Sequence, residues 1–191
     1  MNNLNLFGKP DPLVWGRGSP VLEVFLEPTC PFSAKAFKKI DPLLLQAKEE
    51  SLTVKIWLLS QPWHLFSSIV TRSIFAASTI ETGAAGRDNA KAVMMAVFSH
   101  REEFEFTDHC KGPNLNKTPA EVIELISCYS GIDVGKAFQE SSLHSEMKLH
   151  AKYARQNGIH LTPTFMVDGI ISTEMSSGQE VAEWIEILSL P

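Results

Sequence analysis

The chain has 191 residues, 44% hydrophobic and 20% charged, with a net charge of −5. That length and balance argue for one globular domain of ordinary size, or one domain carrying an insertion, and against a disordered polypeptide. The negative charge, with no basic run or stripe, argues against nucleic acid as a partner. No window approaches the ~18 consecutive apolar residues of a membrane span.

The first 20 residues are rich in Gly and Pro (Gly8, Pro10, Pro12, Gly16, Gly18, Pro20), which predicts a surface arm or a short edge strand. Residues 21–27, with Val and Phe, predict a buried strand. Cys30 to about Glu50 predicts a helix: Pro31 suits its first turn, and Phe32, Ala36, Phe37, Ile40, Leu43 and Leu44 recur at helical spacing. Pro42 is expected to kink or break it. A second strand is predicted over 53–59, ending at Gln61-Pro62-Trp63-His64. From Leu65 to about Gly158 helical periodicity takes over, with helices expected near 66–81, 86–104, 133–142 and 144–156. Thr118-Pro119-Ala120-Glu121 reads as a capping box with Pro at the first helical position, followed by Val122, Ile126 and Tyr129 on one stripe. Strand character returns in 164–172. The chain closes on Ser177-Gly178-Gln179-Glu180, read as a second capping box, with Val181, Trp184, Ile185 and Leu188 behind it.

The chemistry concentrates at Cys30. An apolar strand and a sharp turn place this thiol at a helix start, where unpaired N–H groups and the dipole favour an anion. A cysteine so placed is biased toward thiolate, the form that attacks disulfides and electrophiles. Ser33 lies one turn further on, where its hydroxyl is able to donate to that thiolate. The remaining cysteines, Cys110 and Cys128, complete an odd and sparse set. Such a set speaks against a disulfide framework and for a reducing compartment and a thiol that works singly. The start of the chain lacks the basic and apolar regions of a signal peptide; read as complete, it predicts a cytoplasmic protein.

Cys30-Pro31-Phe32-Ser33, together with Gly158-Ile159-His160-Leu161-Thr162-Pro163-Thr164-Phe165-Met166-Val167-Asp168-Gly169, resembles the thioredoxin superfamily, most closely its DsbA-like branch. The resemblance implies an α/β thioredoxin fold with a helical insertion. Residues 1–64 and 159–191 would form the thioredoxin-like domain and 65–158 the inserted helical subdomain. It implies that Cys30 is the nucleophile, tuned by Pro31 and Ser33. It also implies that Pro163 is cis and that Thr162 offers its backbone to an extended substrate beside Phe32 and His64. The motif departs from the dithiol Cys-x-x-Cys pattern, since Ser33 cannot resolve a mixed disulfide. A monothiol thiol–disulfide oxidoreductase or isomerase follows, acting on protein or small-molecule disulfides with glutathione as external thiol and with no bound cofactor. Two other readings stay open: a glutathione-dependent transferase or isomerase of the kappa type, and a non-catalytic peptide-binding module. The acid that thioredoxins bury six residues before the active cysteine is replaced here by Val24. Glu27 is nearer, but strand geometry points it differently.

The other polar and apolar candidates carry structural readings. His64 is a loop histidine able to assist the thiol. Asp108-His109-Cys110 is a surface loop without metal-ligand spacing. Cys128 belongs to a helix core, as do Met94, Met95 and Phe98. His144, His150 and His160 are solvated. Trp57 is strand core, and Trp63 is core or rim.

Overall fold

The computed structural model describes residues 13–48, 50–106 and 111–191. The predicted arm up to Pro12 and the Asp108-His109-Cys110 segment lie outside the described residues.

Five strands form one sheet: β1 (Val14–Gly18), β2 (Val21–Leu26), β3 (Ser51–Leu58), β4 (Thr164–Val167) and β5 (Ile170–Ile171), in the order β1-β3-β2-β4-β5. β2 is central, parallel to β3 and antiparallel to β4. The Gly-rich opening supplies edge strand β1, antiparallel to β3. There the Gly18 backbone (φ 119°) runs so close to β3 that a Cβ would meet the Glu50 carbonyl.

Strand alternation sends side chains to both faces. Leu22, Val24 and Leu26 of β2 and Leu52, Val54, Ile56 and Leu58 of β3 enter the larger core, whereas Phe25 and Trp57 enter a smaller cluster on the other face. Helices α1 (Pro31–Phe37), α2 (Ile40–Gln46) and α7 (Val181–Ile187) cover the first face, and their Phe37, Ile40, Leu43 and Trp184 are buried in its core. Helices α3 (Ser67–Ile80), α4 (Ala84–Ser99) and α5 (Pro119–Ser130) extend that core. Helix α6 (Ser142–Gln156) closes the second face with Leu149, Tyr153 and Ala154. There the buried Glu23 carboxylate accepts from Trp57 Nε1 (2.5 Å) and the Tyr153 hydroxyl (3.1 Å). Among the described residues no helix is long and apolar enough to cross a membrane.

The helix after Cys30 is broken as expected from Pro42; the break falls at Lys38–Lys39, and Pro42 sits inside the first turn of α2. A proline interrupts the helix on its N-terminal side: it has no N–H for the carbonyl four residues back, here Lys38, and its ring crowds that carbonyl. Other local expectations are corrected. The 133–142 region holds only a 3-10 turn, Ala137–Gln139. Gly131 leaves α5 in the left-handed region (φ 71°), and the Asp133 carboxylate binds the Gly135 N–H, forming a turn instead of a helix. The last helix is capped at Glu180, not Ser177: the Glu180 N–H donates to the Glu183 carboxylate at 2.7 Å. Gln179 is occupied instead with the Ser176 N–H and the Glu174 carbonyl. The Thr118 capping box is present as expected, with the Glu121 N–H donating to Thr118 Oγ1 at 3.3 Å.

Three side chains predicted from pattern alone sit elsewhere. His150 is buried, not solvated; its Nδ1 accepts from the Leu58 N–H at 2.9 Å, and its ring packs edge-on against Trp57 and Phe75. Cys128 is exposed on α5, not core. Met95 is 39% exposed, while Met94 and Phe98 are buried.

Candidate active site

β2 ends at Leu26, and the next four residues form a turn closed by the Cys30 N–H donating to the Glu27 carbonyl at 3.2 Å. Cys30 is the N-cap of α1, in extended conformation (φ −69°, ψ 131°), with its side chain at the mouth of the helix. The Cys30 carbonyl accepts from Ala34, so the N–H groups of the first turn are left over for the sulfur. The Phe32 and Ser33 N–H groups favour the charged sulfur without closing a cap hydrogen bond to it. The Ser33 hydroxyl accepts from the Glu27 N–H at 3.2 Å. Its own proton is thereby directed elsewhere, and it donates to Cys30.

Burial by itself pushes the Cys30 thiol up. The pull of His64, of the Ser33 and Phe32 N–H groups and of the Ser33 hydroxyl outweighs it, and the thiol is held below its ordinary value. The strongest of these partners is the imidazole of His64. The turn Gln61–His64, closed by the His64 N–H on the Gln61 carbonyl (3.1 Å), carries that ring to the thiol. The side chain of Gln61 binds the His160 carbonyl at 2.9 Å and ties this turn to the segment ahead of Pro163. The Thr162–Pro163 peptide is cis, and the Thr162 carbonyl oxygen lies 3.9 Å from Cys30 Sγ.

Behind His64 stand two carboxylates that the sequence reading did not place there. Glu105, just past a 3-10 turn over Arg101–Phe104, puts Oε1 2.5 Å from His64 Nδ1. Glu27 is fully buried and puts Oε2 3.5 Å from the same nitrogen. Thr29 joins them: its N–H (2.8 Å) and hydroxyl (2.9 Å) reach Glu27 Oε2, and its hydroxyl also contacts Glu105 Oε1 and, at 3.2 Å, His64 Nδ1. Glu27 points inward because it lies beyond the last paired residue of β2, where strand alternation no longer governs the side chain. Burial pushes the Glu27 carboxyl up, against the opposing pull of Ser67, His64 and Thr29. On His64, burial favours the neutral ring. The Cys30 and Glu105 hydrogen bonds and the charges of Glu27 and Glu105 overcome it and raise the ring to about 10. The two groups shift in opposite directions, the thiol down and the imidazole up, which biases the pair toward thiolate and imidazolium.

One ligand-type atom from each of Glu27, His64 and Glu105 lies within 4.8 Å of the others. Hydrogen bonds with Thr29 and His64 hold Glu27 Oε2 and Glu105 Oε1, while Glu27 Oε1 is buried without a hydrogen-bond partner among the described residues; we assign the group no metal. Around the thiol, Phe32, Trp63 and Leu161 are 55%, 60% and 72% exposed and form an apolar rim. Trp63 is thus rim, not core. Cys30, Ser33, His64 and the Thr162–Pro163 backbone converge at this spot. Cys128 lies on α5, within the helical segment between β3 and β4.

The lowered thiol predicts a measurable pH dependence. Because the thiolate is favoured, Cys30 alkylation by iodoacetamide should fall only as pH drops through a midpoint below the ~8.5 of free cysteine. At about pH 6 Cys30 should label before Cys128. Peptide mapping that finds Cys128 labelled first would overturn the assignment of the nucleophile.

No family model and no curated protein matches the sequence. Solved structures do. A Pseudomonas syringae protein described provisionally as a protein-disulfide isomerase is 54% identical, with a TM-score of 0.90, over 93% of this chain and 98% of its own. A thioredoxin-like oxidoreductase of Silicibacter pomeroyi superposes over the whole of both chains with a TM-score of 0.66 at 15% identity. The thiol-disulfide exchange protein α-DsbA2 of Wolbachia pipientis reaches 0.68 at 14% identity, over 93% of this chain and 85% of its own. The two distant structures share the fold; the near one carries the kinship. The chain belongs to the DsbA-like, thioredoxin-fold thiol–disulfide oxidoreductases.

Proposed function

We propose that the protein is a monothiol thiol–disulfide oxidoreductase with isomerase capacity, in which glutathione supplies the second thiol. The observation that carries this reading is Ser33. It occupies the position one helical turn from Cys30 where a resolving cysteine would sit, and its hydroxyl is committed to the Glu27 N–H and the Cys30 sulfur. Cys30 thiolate attacks one sulfur of a substrate disulfide. A new S–S bond forms, the old one breaks, and the departing sulfur leaves as a thiolate that takes up a proton. With no neighbouring thiol on α1, the mixed disulfide persists until an external thiol, or another thiol of a bound protein, attacks it. The first route is reduction or deglutathionylation, and the second is isomerisation.

Oxidised glutathione should therefore add one glutathione per chain, at Cys30, with no intramolecular disulfide. Intact mass should show that adduct in the native protein and none in Cys30→Ala. An internal bond from Cys30 to Cys110 or Cys128 would contradict the monothiol reading.

A further inference from the structure

We infer that Glu105 is a positioning residue that holds His64 against Cys30, so that the imidazolium delivers the proton required by the departing thiolate in each exchange. This rests on the monothiol reading above.

Three separate segments build the relay. Cys30 comes from the start of α1, His64 from the turn after β3, and Glu105 from the segment after α4. The contact between Glu105 Oε1 and His64 Nδ1 is 2.5 Å, and both groups are nearly enclosed, at 14% and 13% exposed. Glu105 is itself held. The buried Asn114 donates its side-chain N–H groups to the Glu105 carbonyl at 2.6 Å and the Glu102 carbonyl at 2.7 Å, locking the backbone that carries the carboxylate. The charged and titratable groups facing the ring are Cys30, Glu27 and Glu105. Glu27 is already engaged by Thr29 and lies 3.5 Å away, so Glu105 makes the closer carboxylate contact.

The chemistry balances over two steps. With a glutathionylated substrate, Cys30 attacks the glutathione sulfur and the S–S bond breaks. The substrate sulfur leaves with the electron pair and takes the proton of His64, which becomes neutral. An incoming glutathione then gives its thiol proton to His64 and attacks the glutathione sulfur of the mixed disulfide. Cys30 leaves as thiolate beside a restored imidazolium. One mixed disulfide and one glutathione thiol become one substrate thiol and one oxidised glutathione. Once Cys30 is tied up in the mixed disulfide, the Glu105 contact and the Glu27 charge still favour the protonated ring, so His64 remains an acid within reach of a departing thiolate.

Glu105→Gln tests this. Turnover of a glutathionylated peptide by reduced glutathione should fall roughly 10²-fold, the usual reach of one general acid. The alkaline limb of its pH–rate profile should move to lower pH by about one unit or more, since a carboxylate beside the ring is gone. Glu105→Asp should restore part of both. A folded Glu105→Gln enzyme with the native profile would overturn the relay while leaving the Cys30 adduct, and hence the monothiol reading, intact. Loss of the adduct in the native protein would instead overturn the monothiol reading itself. If Glu105→Gln does not fold, nitrogen NMR of His64 in the native protein decides the point. An imidazolium at about pH 8, above the usual histidine range, supports the relay, and a neutral ring overturns it.

Discussion

On the monothiol proposal, Ser33→Cys is expected to give this enzyme dithiol chemistry. Ser33 is buried, one helical turn after Cys30, and residues three apart on a helix face one another. That spacing places the two Cα atoms inside the about 4.4–6.8 Å range a disulfide spans. The variant gives up a hydroxyl that accepts from the Glu27 N–H, a loss of about 0.5–1.5 kcal/mol by the usual net value of such a bond. In exchange it gains a sulfur poised to attack any mixed disulfide on Cys30. An intramolecular attack runs at an effective concentration far above that of free glutathione, so insulin reduction should rise on the order of a hundredfold or more. The glutathione adduct should vanish from the mass spectrum, replaced by an internal disulfide between positions 30 and 33. A folded variant that keeps the adduct and forms no internal bond would show that the first turn of α1 does not present its side chains as described.

The largest stability effect is expected at Trp184→Ala. Trp184 is the main buried anchor of α7. Its ring packs edge-on against Phe165 of β4 at 5.1 Å, its Nε1 donates to the Ser176 carbonyl at 3.0 Å, and the Lys39 ammonium sits 5.5 Å from the ring centre. Truncation leaves a cavity against the sheet and orphans a carbonyl acceptor, a combination that costs about 3–5 kcal/mol. Denaturant unfolding should show that loss. Because Trp184 touches none of the groups around Cys30, the pH midpoint of Cys30 alkylation in the folded variant should stay where it is. A loss under about 1 kcal/mol would mean that α7 does not close the core.

What lay in the sequence by itself was the part of this protein governed by near neighbours. The β2 and β3 strands follow from alternation, α5 from its Thr118–Glu121 capping box, and the thiolate bias of Cys30 from one helix start. The likeness to DsbA-like proteins rested on two short segments and agrees with the 54% identical relative. Each of these depends on residues within a few positions of one another, so the chain announces them. The break expected from Pro42 is present as well, one turn ahead of it: α1 ends at Phe37 because the influence of Pro42 reaches back.

Only the tertiary structure decided which distant groups meet the thiol. His64 and Glu105 lie 34 and 75 positions after Cys30; the resemblance had placed His64 near the thiol, but nothing in the sequence pointed to Glu105 behind it. Glu27 was misread because the alternation rule was carried one residue past the end of β2. His150 and Cys128 were misread for a related reason, since helical spacing tells which residues share a face but not what covers that face. His150 turned inward to cap the Leu58 N–H, and Cys128 outward, according to what packs on α6 and α5. Local pattern thus placed a nucleophile at a helix mouth. Long-range packing then brings an imidazole to the sulfur and sets two carboxylates behind that imidazole, out of water, where their electrostatics are strong.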